Sequence, residues 1–190
     1  MKEYIVTVMA LDRVGIVRDV SSALSGIGGN ITHMNQTVMR GYFTLIVSVE
    51  MPEERTQLEI RQAVERNGDV GEFEVNVRPF VEPHPSVLRP SERFVLSLRG
   101  NDKHGIIASV TSFLADTGIN IDDFYAYIVD KRFIMLVQVS IPIETNLNNV
   151  QSGLEQLGKE FELTVHLQHE NIFRATSEVR PMMEFDSATR

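Results

Sequence analysis

The residues able to do chemistry stand in two short stretches. The first is Asp12-Arg13-Val14-Gly15-Ile16-Val17, preceded by Leu11 and followed a helix's length later by Gly28-Gly29-Asn30-Ile31. The second is Asp102-Lys103-His104-Gly105-Ile106-Ile107, preceded by Asn101 and followed by Gly118-Ile119-Asn120-Ile121. Each stretch leaves an apolar, strand-like run and opens an amphipathic helix pattern. A strand-to-helix turn sets free backbone N–H groups at a helix N-terminus, where they and the helix dipole favour an anion such as an amino-acid carboxylate. Gly15 and Gly105 carry no side chain, so a ligand can approach the backbone closely. Asp12 and Asp102 can accept from an α-ammonium group, and Asn30 and Asn120 offer both donor and acceptor. Together these groups suit a zwitterion. The same residues also have a purely structural reading: Asp as a helix cap, glycine as a turn former, and Asn after Gly as ordinary turn chemistry. Spacing alone leaves both open.

The two stretches belong to a longer repeat. At an offset of 90 residues, with no gap from Tyr4/Phe94 to Val77/Leu167, 18 of 74 aligned pairs are identical. They include Asp12/Asp102, Gly15/Gly105, Leu24/Leu114, Gly28/Gly118, Asn30/Asn120, Pro52/Pro142 and Gly68/Gly158. Chance gives about 5%, so the chain holds a duplicated domain. A domain of roughly 80 residues has a thin core and is marginal alone. The two units are therefore expected to pack as an intramolecular pair.

The elements that must position the loops follow from periodicity. Tyr4 to Leu11 is a strand pattern. Ile16, Val17, Val20, Ala23, Leu24 and Ile27 recur at helical spacing, and Gly26, Gly28 and Gly29 end that helix. Asn30 to Met39 is a second strand and Arg40-Gly41 a turn. Phe43, Leu45, Val47, Val49 and Met51 alternate as a third strand. Glu53 to Asn67 is a second helix, stopped at Gly68, and Phe73, Val75 and Val77 mark a fourth strand. The second unit repeats this order. Phe94 to Arg99 is a strand, and Ile106 to Leu114 a helix. Ile121 to Val129 is a strand turned by Asp130-Lys131-Arg132, and Phe133 to Ile141 another. Leu147, Val150, Leu154 and Leu157 mark a helix, and Phe161, Leu163, Val165 and Leu167 the last strand. The order β-α-β-β-α-β is the ferredoxin-like α+β unit, an antiparallel four-stranded sheet with two helices on one face. The expected boundaries are 1–79 for the first unit, 80–92 for a linker rich in Pro83, Pro85 and Pro90, 93–170 for the second unit and 171–190 for a tail. In that tail Asn171-Ile172-Phe173-Arg174 is a segment expected to dock.

Composition narrows the function classes. The net charge of -8 argues against direct binding to nucleic acid, which demands a basic surface. No apolar run reaches the length of a membrane span, and without cysteine there is no disulfide framework or thiolate metal site. His166 and His169 are three apart on a strand and point to opposite faces, a poor metal pair. Asp102 and His104 lack a nucleophile beside them, and Val14 stands where the second copy has His104. Phe124, Tyr125 and Tyr127 on one strand suggest an interface more than base stacking, since no basic signature accompanies them. No cofactor, metal or catalytic set is expected.

Asp-[Arg/Lys]-x-Gly-Ile-[Val/Ile], a dozen residues of helix, then Gly-x-Asn-Ile, within a β-α-β-β-α-β unit, resembles the ACT domain. The resemblance covers residues 3–79 and 93–169. The tandem layout is similar to the glycine cleavage system transcriptional repressor group. The stretches 36–44 and 167–175 resemble small stand-alone ACT proteins of bacteria and archaea. The resemblance implies a non-catalytic, cytoplasmic regulatory module that binds a small amino acid, with glycine or serine as the suggested ligands. It also implies a protein partner and a homodimer as an available state. Its ligands lie between the first loop of one domain and the second strand of a neighbour. That points to Leu11, Asp12, Arg13, Val14, Gly15 and Ile16 with Asn30 and Ile31, and to Asn101, Asp102, Lys103, His104, Gly105 and Ile106 with Asn120 and Ile121. The alternatives are a scaffold whose loops bind nothing and an enzyme on the same fold.

Overall fold

A computed structural model of the chain describes residues 1–82 and 89–176. The chain divides into two compact units, Met1–His84 and Pro85–Arg190. Much of the proline-containing linker expected at 80–92, and the tail beyond Thr176, lie outside the described residues.

The first unit runs β1 (Lys2–Leu11), α1 (Ile16–Gly26), β2 (Asn30–Met39), β3 (Tyr42–Met51), α2 (Gln57–Glu65) and β4 (Glu74–Pro79). Its sheet has the order β2-β3-β1-β4 and is antiparallel throughout. The period-two pattern decides which face is buried. Tyr4, Val6, Val8 and Ala10 of β1 and Phe43, Leu45, Val47 and Val49 of β3 form one cluster with Ile16, Val20 and Leu24 of α1 and Ile60 and Val64 of α2.

The second unit repeats the plan as β5 (Ser91–Asn101), α3 (Ile106–Asp116), β6 (Asn120–Val129), β7 (Arg132–Pro142), α4 (Leu147–Phe161) and β8 (Leu163–His169), in the order β6-β7-β5-β8. Phe94, Leu96 and Leu98 of β5 and Met135, Val137 and Val139 of β7 pack with Ile106, Val110 and Leu114 of α3 and Val150 and Leu154 of α4. A seven-residue helix, α5 (Glu170–Thr176), then packs against β5 and β8. The segment expected to dock does so, as a helix that the sequence pattern did not announce.

Several boundaries differ from expectation for identifiable reasons. α2 starts at Gln57 because Thr56 and Glu59 form a capping box, the Thr56 side chain accepting from the Glu59 N–H while the Glu59 carboxylate accepts from the Thr56 N–H at 2.8 Å. Residues 53–55 form a turn ahead of it, closed by the Arg55 N–H donating to the Pro52 carbonyl. Asn146 occupies the equivalent cap of α4. Phe161, assigned to the last strand by its apolar neighbours, closes α4 instead, and Glu162 at φ 58 turns the chain into β8. Arg132 belongs to β7, since the hairpin needs only Asp130 and Lys131, both at positive φ. Phe124 packs toward the helices, whereas Tyr125 and Tyr127 are exposed on the other face, so the three aromatics do not form one surface.

The helix pairs show how the copies diverged by a paired change of size. Ala23 of α1 and Ala63 of α2 correspond at the repeat offset to Phe113 of α3 and Gly153 of α4. A Cβ on Gly153 would meet Phe113 Cε2 at 2.3 Å. The larger ring thus requires the smaller partner, as close packing demands.

Candidate functional site

In both units the first strand ends one residue before the repeated Asp, and the helix begins one residue after the repeated Gly. Gly15 (φ 100) and Gly105 (φ 91) are the residues preceding α1 and α3, in left-handed conformation, and neither helix has a side-chain cap. The structural reading of the Asp residues as caps is therefore wrong. The structural reading of the glycines is right, since a residue with a Cβ is strained at those angles. The uncapped turns leave the first N–H groups of α1 and α3 without intrahelical acceptors. Asp12 is tied to the sheet by its backbone, its N–H donating to the Gly41 carbonyl at 2.9 Å. The carboxylates of Asp12 and Asp102 are exposed and make no hydrogen bond or ion pair among the described residues.

The candidate residues separate into three groups. Ile16 and Ile106 are core side chains, and Ile31 and Ile121 pack against the cores. Leu11, Asp12, Val14, Asn101, Asp102 and His104 are exposed around the loops. Asn30 and Asn120 are exposed at the starts of β2 and β6, with the Asn30 amide donating to Glu50 at 3.3 Å and the Asn120 amide to Asp122 at 2.8 Å.

The loop and the Asn lie at opposite ends of each sheet. Asn30 is level with Glu50, and Glu50 with Glu3. Leu11 is eight residues further along β1 than Glu3, about 26 Å at the strand rise. The second unit has the same register, with Asn120 level with Ser140, Ser140 with Arg93, and Asn101 eight residues beyond Arg93. No amino acid spans that distance, so within one unit the loop and the Asn cannot hold the same molecule. A shallow groove between α1 and β2, lined by Ser21, Ser22, Ser25, Gly29, Asn30 and Ile31, accordingly includes no residue of the Asp12–Gly15 loop.

The two loops differ in what surrounds them. Asp19, in the first turn of α1, is 8% exposed. Its carboxylate meets Arg13 at 2.9 Å and Arg18 at 2.7 Å. Arg13 also grips Glu72 through two nitrogens, Nη2 reaching Oε2 at 2.9 Å, and lies 5.8 Å over the Phe73 ring. Glu72 accepts as well from the Asp69 N–H at 2.8 Å. Hydrogen bonds from Arg18 and then Arg13 hold the Asp19 carboxyl below its usual range, and those from Arg13 and the Asp69 N–H do the same for Glu72. Arg13, held by Glu72 and Asp19, is shifted upward and stays charged at every working pH. In the second unit Lys103 pairs with Glu162 at 2.9 Å, which lowers the Glu162 pKa. Glu162 is the repeat counterpart of Glu72, but Ala108 and Ser109 replace Arg18 and Asp19. This cluster escaped the sequence reading. The signal available was the identity of Glu72 and Glu162 opposite the basic pair Arg13 and Lys103.

The family profile of the ACT domain matches residues 3–78 and 92–168, and the chain belongs to that family, with two ACT domains in tandem. A UPF0237 protein of Methanococcus maripaludis is 38% identical over 84 residues, 44% of this chain and 93% of that protein. A UPF0237 protein of Listeria innocua is 37% identical over 44% of this chain and 94% of its own length. Such relatives are thus about the length of one unit. Among solved structures, a Galdieria sulphuraria protein described as unknown superposes with TM-score 0.70 at 26% identity, covering 88% of this chain and 98% of that one. A structure provisionally assigned as a glycine cleavage system transcriptional repressor gives 0.65 at 18% identity, covering 88% and 96%, a likeness of fold. No helix among the described residues is long and apolar enough to cross a membrane.

Proposed function

We propose that this tandem ACT protein is a non-catalytic, cytoplasmic regulator that binds a small amino acid, glycine or serine first among them, and signals to a protein partner. The observation carrying this reading is the uncapped helix start behind a left-handed glycine, present in both units beside an exposed Asp whose carboxylate has no partner among the described residues. The N–H groups suit a carboxylate and the Asp an ammonium group. Because each loop is about 26 Å from its own Asn by strand register, the Asn of a complete site comes from a neighbouring ACT unit. The assignment of the related fold to a glycine cleavage repressor supports amino-acid metabolism or its transcription as the process controlled. The acidic balance supports control through a protein rather than by direct contact with DNA.

A thermal-shift panel of the twenty amino acids on the full chain tests this reading. A ligand at 100 times its dissociation constant adds about 2.7 kcal/mol. A flat panel favours the scaffold reading.

A further inference from the structure

The two loops are not equivalent. Above Gly15, a Cβ built on the backbone would stand 3.2 Å from Arg18 Nη2 and 3.5 Å from Arg13 Nη1, whereas above Gly105 nothing lies within 4 Å. The guanidinium groups covering Gly15 are already matched by carboxylates of the same unit. Asp19 engages both arginines and Glu72 holds Arg13 from the side of β4. Two cations and two anions close on each other, and the Asn67 amide fixes the α1 backbone at the Asp19 carbonyl. Among the described residues the second unit has only the Lys103–Glu162 pair at this place, because Ala108 and Ser109 supply neither the second cation nor the internal carboxylate.

We propose that Asp19 is a built-in carboxylate that, with Arg13 and Arg18, holds the first loop closed, so that of the two repeated loops only the second is open to a ligand. This rests on the ligand reading above for the second loop and on the ion cluster alone for the first. An external carboxylate arriving at Gly15 would have to displace Asp19 from two arginines, Arg18 donating through Nε and Nη2 to Oδ1 and Arg13 meeting Oδ2. At Gly105 it would displace nothing. The duplication would then have divided the work, one domain keeping the loop as a rigid brace and the other as a receptor.

Backbone 15N relaxation on the full chain tests the closed loop without any ligand. Residues 13–15 should have order parameters near 0.85, the rigid range, and residues 103–105 clearly lower values. Asp19→Ser, which installs the residue of the second unit, should lower the first loop to the level of the second. Arg18→Ala, an exposed position where the second unit has Ala108, should do the same should the Asp19 variant fold poorly. Equal order in the wild-type loops, or an unchanged first loop in the variants, overturns the proposal. Calorimetric titration with glycine and serine gives the second arm. One site per chain, weakened about tenfold or more in Asp102→Ala, supports it. Two sites, or one whose affinity Asp102→Ala leaves unchanged, overturns it while leaving amino-acid binding intact. Absence of heat with every amino acid removes the ligand reading instead, and relaxation still decides whether the first loop is held closed.

Discussion

Replacing Gly105 with Ala separates the backbone role of the repeated glycine from its role as clearance for a ligand. Gly105 sits at φ 91 with nothing within 4 Å of the position a Cβ would take. The added methyl meets no atom, so the cost is conformational. A left-handed residue with a Cβ costs about 1–2 kcal/mol. For a unit of this size each kcal/mol shifts the melting midpoint by about 4–8 °C. Gly105→Ala should therefore lower the melting transition of the second unit by about 4–16 °C, read by calorimetry or circular dichroism on the full chain. Gly105→Asn is the informative control. Asn tolerates the left-handed region, so it should recover most of the lost stability while placing a larger side chain over the turn. If the ligand approaches the backbone there, Gly105→Asn should be stable yet weak in binding. A Gly105→Ala variant that melts within a degree of wild type would refute the claim that the turn requires a residue free to adopt positive φ. A Gly105→Asn variant that binds normally would refute the claim of close approach.

Acid should weaken the first unit more steeply than the second. The folded-state pKa values of Asp19, Glu72 and Glu59 all lie below their ordinary values, so their stabilisation is present above the unfolded range near pH 4 and is lost as pH falls through the folded values. In the second unit Lys103 lowers the Glu162 pKa, and urea midpoints between about pH 7 and 2 should fall more steeply for the first unit than for the second. Gly153→Ala should destabilise the second unit despite a helix-propensity gain of about 1 kcal/mol, because overpacking against Phe113 costs about 1–3 kcal/mol. Adding Phe113→Ala should relieve that clash, and a double-mutant cycle with coupling below about 0.5 kcal/mol would show the pair to be independent. Thr56→Ala should cost about 1 kcal/mol through loss of the α2 cap, and a midpoint unmoved in urea would remove the capping box from the account.

The fold was legible because two periodicities, 2 and 3.6, recur in the same order 90 residues apart. Errors fell where tertiary context or a cap outweighed local pattern. Phe161 has strand-like neighbours but closes α4, and Glu53 to Arg55 look helical until the Thr56 capping box sets the start later. The loops were legible as a repeated motif, and the left-handed glycines follow from it. Their surroundings were not. Asp19 looks like a solvated helical residue in the sequence, and Glu72, the second carboxylate on its partner Arg13, is 59 residues from that arginine in the chain. The separation of each loop from its own Asn is a matter of strand register, which chain spacing does not reveal.

Isothermal titration of the full chain with each amino acid, repeated on Asp102→Ala and on the Asn30→Ala/Asn120→Ala double variant, which removes the Asn of either possible neighbour, decides whether the second loop is a receptor. Saturable heat with a small amino acid is expected. Each variant removes one hydrogen-bond partner of a charged ligand, worth roughly 1.5–3 kcal/mol, so that affinity should fall about 10- to 150-fold. No heat with any of the twenty, or an affinity unchanged in both variants, would contradict this reading.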